Sequence, residues 1–283
     1  MPIRTRIHES GPMSVEGIAP EPVYEEFVSE LFHENTKQHR SDARFIERIL
    51  AATFDPAVQS VMSPTHKLYP GKPRTDLPTQ FPRSKLTLDE AIVGRRSNRE
   101  FSKGPLPLGV AAKLLHYSYG VTGALELGNG REQLVRAAPS GGALFPIEVY
   151  LLARNVAVLA PGIYHFNPVA NCLEQIAAKD PSAELVRLTY SQELSKAALV
   201  VALTGVSIKN RVKYGERGYR FMLLEAGHIA QNFLLTATAM GLHSYTLGGF
   251  VDDELDSLLQ VDGFEETALY LLAAGKPVKA GRR

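Results

Sequence analysis

The residues best equipped for chemistry are the three arginines and the serine of Arg95-Arg96-Ser97-Asn98-Arg99-Glu100-Phe101. Each guanidinium presents paired donors in a fixed plane, a shape that matches phosphate oxygens. A charge run alone is usually a solvated face, but two further segments shift the balance. Arg136-Ala137-Ala138-Pro139-Ser140-Gly141-Gly142-Ala143-Leu144-Phe145-Pro146 is a small-residue loop ahead of an apolar stretch, and its glycines let backbone N–H groups approach a flat ligand closely. Gly275-Lys276-Pro277-Val278-Lys279-Ala280-Gly281-Arg282-Arg283 supplies a second basic cluster. Lys213, with Arg211, Arg217 and Arg220 nearby, reads on its own as a surface residue of a basic loop.

Other chemistries find less support. Gly128-Asn129-Gly130 begins like a dinucleotide fingerprint, but Gln133 stands where the third glycine belongs. There is no phosphate-binding P-loop and no Gly-x-Ser-x-Gly nucleophile elbow. Glu30-Leu31-Phe32-His33 and Glu225-Ala226-Gly227-His228 both have the Glu-x-x-His spacing of di-iron carboxylate bundles. Those bundles are all-helical and need two more glutamates, whereas this chain has clear strands. No metal site is expected, and Glu225 and His228 are expected to be satisfied polar groups of a buried helix. The one cysteine, Cys172, excludes an internal disulfide and reads as an ordinary small residue where a turn enters a strand.

The elements that must position these residues follow from patterning. A helix is expected over 22–53, with Val23, Phe27, Leu31 and Phe32 at helical spacing. Residues 64–82 hold Pro64, Pro70, Pro73, Pro78 and Pro82, a density that excludes a helix interior or a central strand. That connector divides an N-terminal extension, 1–82, from a main domain, 83–283. Thr87 and Glu90 form a capping-box pattern at the start of a helix that ends in Gly94-Arg95-Arg96-Ser97. A second helix is expected over 107–119 and a loop over 120–131, turning at 128–130. Strands are expected at 147–152, 162–166 (pairing with 172–176), 197–203 and 267–274, and a long helix, apolar almost all round and therefore central, at 218–240. Without a regular βαβ rhythm, the pattern favours α+β. A formal net charge of +1 argues against bulk-electrostatic binding to nucleic acid or to a membrane surface. The first residues lack the apolar core of a secretory signal, and the apolar runs are too short to span a bilayer, so a cytoplasmic location is expected.

Taken in order, Arg-Arg-Ser-x-Arg-x-Phe, Pro-Ser-Gly-Gly-Ala-Leu-Phe-Pro-x-Glu-Val-Tyr, a late Gly-Gly-Phe and a basic tail resemble the nitroreductase superfamily. Lys213-Tyr214-Gly215-Glu216-Arg217-Gly218-Tyr219-Arg220-Phe221, running into Glu225-x-Gly227-His228-x-x-Gln231-Asn232, resembles its SagB-type dehydrogenases, the azoline oxidases of thiazole/oxazole-modified peptide pathways. Leu31–Lys37 resembles the segment ahead of the main domain in that group, and the resemblance covers residues 24–40 and about 84–283. It implies a nitroreductase-like α+β fold, with a central, mainly antiparallel sheet flanked by helices, and a homodimer holding FMN at the subunit interface. Arg95, Ser97 and Arg99 map onto the phosphate and ribityl contacts, with Arg96 beside them. Pro139, Ser140, Gly141 and Ala143, with Gly142 between them, map onto the loop against the isoalloxazine ring. Gly248 and Gly249 map near its reactive edge, and Arg282, with Lys279 as the alternative, onto a C-terminal phosphate contact.

Lys213 and Tyr214 match the group's catalytic pair. The implied reaction takes a proton beside a carbonyl and passes hydride from the neighbouring ring carbon to flavin N5, with dioxygen as reoxidant. A free lysine, with a pKa of about 10.4, is no base at neutral pH, so burial beside arginines would have to lower it. The implied partners are a peptide substrate and other modifying enzymes. Two other readings stand beside this one: an NAD(P)H-dependent nitro or quinone reductase, and a non-catalytic member of a peptide-modifying complex.

Overall fold

The computed structural model describes residues 27–40, 42–62, 66–126 and 132–278. The chain divides into two compact units, Met1–Lys37 and Gln38–Arg283. Within the first, Val28–Asn35 forms helix α1. The helix expected over 22–53 is interrupted, and residues 22–26 lie outside the described residues. Thr36 closes α1, its hydroxyl donating to the Phe32 carbonyl at 2.6 Å. Asp42 then starts a new helix, α2 (Ala43–Phe54), by accepting from the Phe45 N–H. Short side chains that bond the backbone locally break helices in this way.

The second unit continues with α3 (Pro56–Met62), strand β1 (Arg74–Asp76), α4 (Leu88–Gly94), α5 (Leu108–Tyr119), β2 (Val121–Glu126), β3 (Glu132–Arg136) and β4 (Ile147–Ala153). After these come β5 (Gly162–Asn167), β6 (Cys172–Ala177), α6 (Ser182–Thr189), β7 (Leu199–Val206), α7 (Ser207–Tyr214) and α8 (Arg217–Ala239). β8 (His243–Leu247), α9 (Asp252–Leu259) and β9 (Glu266–Gly275) complete it. Seven strands form one sheet in the order β1-β6-β5-β4-β7-β9-β8. Every pairing is antiparallel. The proline-rich connector thus supplies only a three-residue edge strand, as its composition requires.

The two central strands explain the layering. Along β4, Ile147, Val149 and Leu151 face one core, which α5 and α8 cover, while Tyr150 and Leu152 face the other, which α6 and α9 cover. β7 alternates in the same way, with Val201 and Leu203 on one side and Val200 and Ala202 on the other. The period of two makes a sheet buried on both faces.

Three sequence expectations need correction. Residues 121–126 and 132–136 form a hairpin, not a loop. Val121 pairs with Arg136 and Gly123 with Val135, with Thr122 at a bulge between them, and the expected turn at 128–130 lies outside the described residues. The strand expected at 197–203 begins two residues later and runs to Val206. The long helix is not buried all round: Leu223 is 45% and Leu224 59% exposed. By contrast, the capping box is present: Thr87 accepts from the Glu90 N–H, and Glu90 accepts from the Thr87 N–H at 2.8 Å. It fixes the start of α4, so the helix ends at Gly94 with Arg95 as its C-cap.

Candidate functional site

The expected site residues gather into two groups. In the first, the arginine segment lies beside the edge strand β8. The Asn98 N–H donates to the Ser244 carbonyl at 3.0 Å, and the Ser102 N–H to the Lys276 carbonyl at 2.9 Å. Phe101 forms a bridge to Pro277 and stacks on Tyr245, with ring centroids 6.1 Å apart. The segment therefore meets the start of the basic tail, although Arg282 and Lys279 lie outside the described residues. Arg95 is half-buried, and neither its guanidinium nor the exposed Ser97 hydroxyl hydrogen-bonds to a described residue. The Arg99 guanidinium sits 5.0 Å above the Tyr245 ring. Arg96 is turned back on its own backbone, donating to the Val93 and Arg95 carbonyls at 2.9 Å. Gly248 and Gly249 follow β8 and are exposed; no atom lies within 4 Å of where a Cβ on Gly249 would stand.

The second group is built on the bend ahead of β4. Gly142 has φ +66°, a left-handed conformation natural to glycine. Ala143 and Phe145 also take positive φ. The Phe145 N–H donates to the Ser140 hydroxyl oxygen at 2.9 Å, which ties the bend closed. The reactive ends of Lys213 and Tyr214, at the C-terminus of α7, lie directly over it. A Cβ on Gly142 would stand 2.5 Å from the Tyr214 hydroxyl and 2.9 Å from the Lys213 Nζ. The Tyr214 ring meets Phe221 of α8 edge-on at 4.8 Å. Burial raises the Tyr214 pKa, so at neutral pH it is a phenol able to donate. No hydrogen bond, ion pair or ring contact between described residues joins the two groups within one chain.

A buried polar layer beneath the bend is what sequence reasoning missed. Lys209, four residues before Lys213 on α7, pairs with Glu148 of β4 at 2.9 Å and reaches the Phe145 carbonyl at 3.4 Å. Glu148 also accepts from the Lys67 N–H at 2.9 Å and meets His165 at 3.0 Å, and the other nitrogen of His165 meets Glu174 at 2.9 Å. Burial alone would raise the Glu148 pKa, but His165 and Lys209 outweigh it and bring it down to about 2. Lys67 and Tyr150 both hold Glu266. Residues 67–69 therefore brace the site through this layer, and α2 does so by packing on α7, with Arg48 against Gly215. One signal was available in the sequence, because Lys209 and Lys213 are spaced for the same helix face.

Glu225 is buried and bonded to Tyr119, while His228 is exposed, so the two do not form a joint ligand pair. Among the described residues no group of three or more His, Cys, Asp or Glu could hold a metal ion, and no helix is long and apolar enough to cross a membrane.

The nitroreductase family model matches residues 92–276, which span both site groups. The chain belongs to the nitroreductase family. Members of this family generally bind a flavin, and the family fold suggests oxidoreductase activity. MJ1384 of Methanocaldococcus jannaschii, named as a nitroreductase, is 30% identical over 69% of this chain and 93% of its own length. The trifolitoxin-processing protein TfxB of Rhizobium leguminosarum is 29% identical over 75% of this chain and 58% of its own. The microcin B17-processing protein McbC of Escherichia coli is 33% identical over 45% of this chain and 49% of its own. This chain therefore spans little more than half of TfxB and about half of McbC. Among solved structures, a nitroreductase-family protein of Anabaena variabilis superposes with a TM-score of 0.67 over 87% of this chain and 46% of its own, at 24% identity. A chain of the Escherichia coli microcin synthetase McbBCD complex with truncated pro-MccB17 bound does so with a TM-score of 0.56 over 89% of this chain and 92% of its own, at 25% identity.

Proposed function

We propose that this protein is a cytoplasmic, FMN-dependent SagB-type dehydrogenase that oxidises azoline rings in a peptide to aromatic azoles. The observation that carries this reading is the placement of Lys213 and Tyr214 over the Gly142 bend. The names of TfxB and McbC support a peptide substrate and companion modifying enzymes. Residues 83–283 would be the FMN-binding domain and 1–82 its extension.

The residues present fit FMN. The uncommitted donors of Arg95 and Ser97, with Arg99 beside them, suit an anionic phosphate and the ribityl chain, and Arg282 of the tail would add a further contact. Arg96 contributes charge more than hydrogen bonds, since its Nη1 serves the backbone. Pro139, Ser140, Gly141, Gly142 and Ala143 would back the flat ring, and the open backbone at Gly248 and Gly249 would admit its edge. Bound FMN would supply the hydride acceptor. Lys213 takes the proton from the carbon beside the carbonyl, and Tyr214 donates a hydrogen bond that orients the ring being oxidised.

A homodimer completes the site. β4 and β8 lie three strands apart, roughly 14 Å at ordinary strand spacing, and a second copy would bring the arginine group of one chain to the bend of the other. Leu223, Leu224 and the open Gly227 of α8, with Leu88, Ile92 and Val93 of α4, form an exposed apolar face suited to a second copy.

The test is turnover of an azoline-bearing peptide, read as loss of two hydrogens by mass spectrometry. Lys213→Ala and Tyr214→Phe are each expected to keep FMN and to lower kcat by roughly a hundredfold or more. Wild-type rates in both variants would overturn the assignment. The likeness to MJ1384 favours a second reading, an NAD(P)H-dependent nitro or quinone reductase. Rapid bleaching of the flavin by NAD(P)H, with azoline peptides left unchanged, would establish it instead.

A further inference from the structure

Next to the Ser140 end of the bend lies a buried carboxylate to which the proposed reaction gives no part. Glu225 of α8 is 1% exposed. Its Oε1 accepts from the Tyr119 hydroxyl of α5, and its Oε2 is buried without a hydrogen-bond partner. The Ser140 hydroxyl lies close enough to favour the charged carboxylate, though it donates no well-formed bond to it. The Arg136 guanidinium, where β3 runs into the bend, is sandwiched 4.3 Å from the Tyr119 ring and 4.6 Å from the Phe145 ring. Lys209 approaches from α7, and Glu148 of β4 acts on Tyr119 from beyond it. His66 completes the cluster: burial lowers its pKa, and the charges of Glu148, Arg136, Lys209 and His165 act on it. Glu225 thus touches, through Ser140, Tyr119 and Arg136, both the start and the end of the bend.

We propose that Glu225 is a positioning residue: buried against the Pro139–Phe145 bend, it sets the geometry that keeps Gly142 under Lys213 and Tyr214. The use made of the bend rests on the preceding reading; its control by Glu225 does not. Burial raises the Glu225 pKa to about 7, against Ser140, Tyr119, Arg136 and Lys209, which lower it. The closed bend therefore prefers the neutral acid, and opening, which hydrates Glu225, prefers the ionised one. Because the folded pKa lies above the ordinary 4.5, protection of the bend falls as pH rises from 4.5 and levels off above about 7.

Hydrogen exchange with mass spectrometry on peptides covering 137–146 reads this directly, with intrinsic exchange corrected at each pH and with and without added FMN. In the wild type, protection is expected to drop roughly tenfold or more between about pH 5.5 and 7.5. Glu225→Gln is expected to hold the low-pH protection throughout. A Glu225→Gln profile that follows the wild type, as it would if His66 were the group titrating, overturns the proposal, and so does a flat wild-type profile. Should Glu225→Gln fail to fold, Tyr119→Phe decides: losing a donor to the carboxylate moves the levelling-off upward, and an unmoved profile overturns the proposal. Because exchange is also read without flavin or substrate, a failure of FMN uptake contradicts the preceding reading alone, and the pH profile of the flavin-free protein still decides the role of Glu225.

Discussion

Glu148 is where the buried charges converge, and it carries the clearest single-residue prediction. It holds Lys209 and His165 through side chains and residue 67 through its backbone N–H. Removing its charge leaves the buried Lys209 ammonium without its carboxylate, while His165 keeps Glu174; breaking such a buried pair typically costs about 3–5 kcal/mol. Glu148→Gln is therefore expected to lower the denaturant midpoint strongly at neutral pH. The sign of the pH dependence follows from its low folded pKa of about 2 against an ordinary 4.5. The stabilisation is fully present above about pH 4.5 and is lost as pH falls toward 2, so wild type and Glu148→Gln should converge in acid. A gap between them that stays constant down to pH 2 would refute this role for Glu148.

Among the elements, the bend and α7 work as a pair. Gly142 is the tight point between them, because its positive φ and the overlying Tyr214 and Lys213 leave no room for a methyl group. Gly142→Ala should cost roughly 1–2 kcal/mol for the left-handed backbone. The atoms in the way are the flexible ends of Tyr214 and Lys213, so the larger effect is their displacement. Thermal melts are expected to shift by a few degrees while peptide oxidation falls at least tenfold; equal activity would show that the two side chains work elsewhere. The helix carrying that pair is also where sequence reading failed. Central strands and capped helices were legible, since apolar runs such as 147–152 and the Thr87–Glu90 pair act over a few neighbours. Helix α7, Ser-Ile-Lys-Asn-Arg-Val-Lys-Tyr, has only two apolar aliphatic residues and no evident amphipathic stripe. It is set by tertiary partners, Glu148 below Lys209 and α2 alongside, which local patterning does not display. The same holds for Glu225 and His228, expected to be satisfied polar groups of a buried helix: His228 is exposed and the buried Glu225 Oε2 has no hydrogen-bond partner.

For the whole molecule, the question is how two groups of site residues three strands apart serve one ligand. In the proposed homodimer the exposed apolar face of α4 and α8 would give the means, and Leu224→Glu tests it by placing a charge on that face. Analytical ultracentrifugation should show a wild-type dimer and a monomeric variant, with flavin lost along with the dimer; a Leu224→Glu dimer that keeps its flavin would locate the interface elsewhere. The central claim, that Arg95, Ser97 and Arg99 grip the anionic end of FMN while the Gly142 bend backs its ring, is tested most directly by titrating purified protein with FMN and following flavin absorbance and fluorescence. The expected result is saturable binding of one FMN per chain, weakened at least tenfold by Arg95→Ala. A protein that stays colourless and takes up no FMN, with both groups of residues intact, would contradict it.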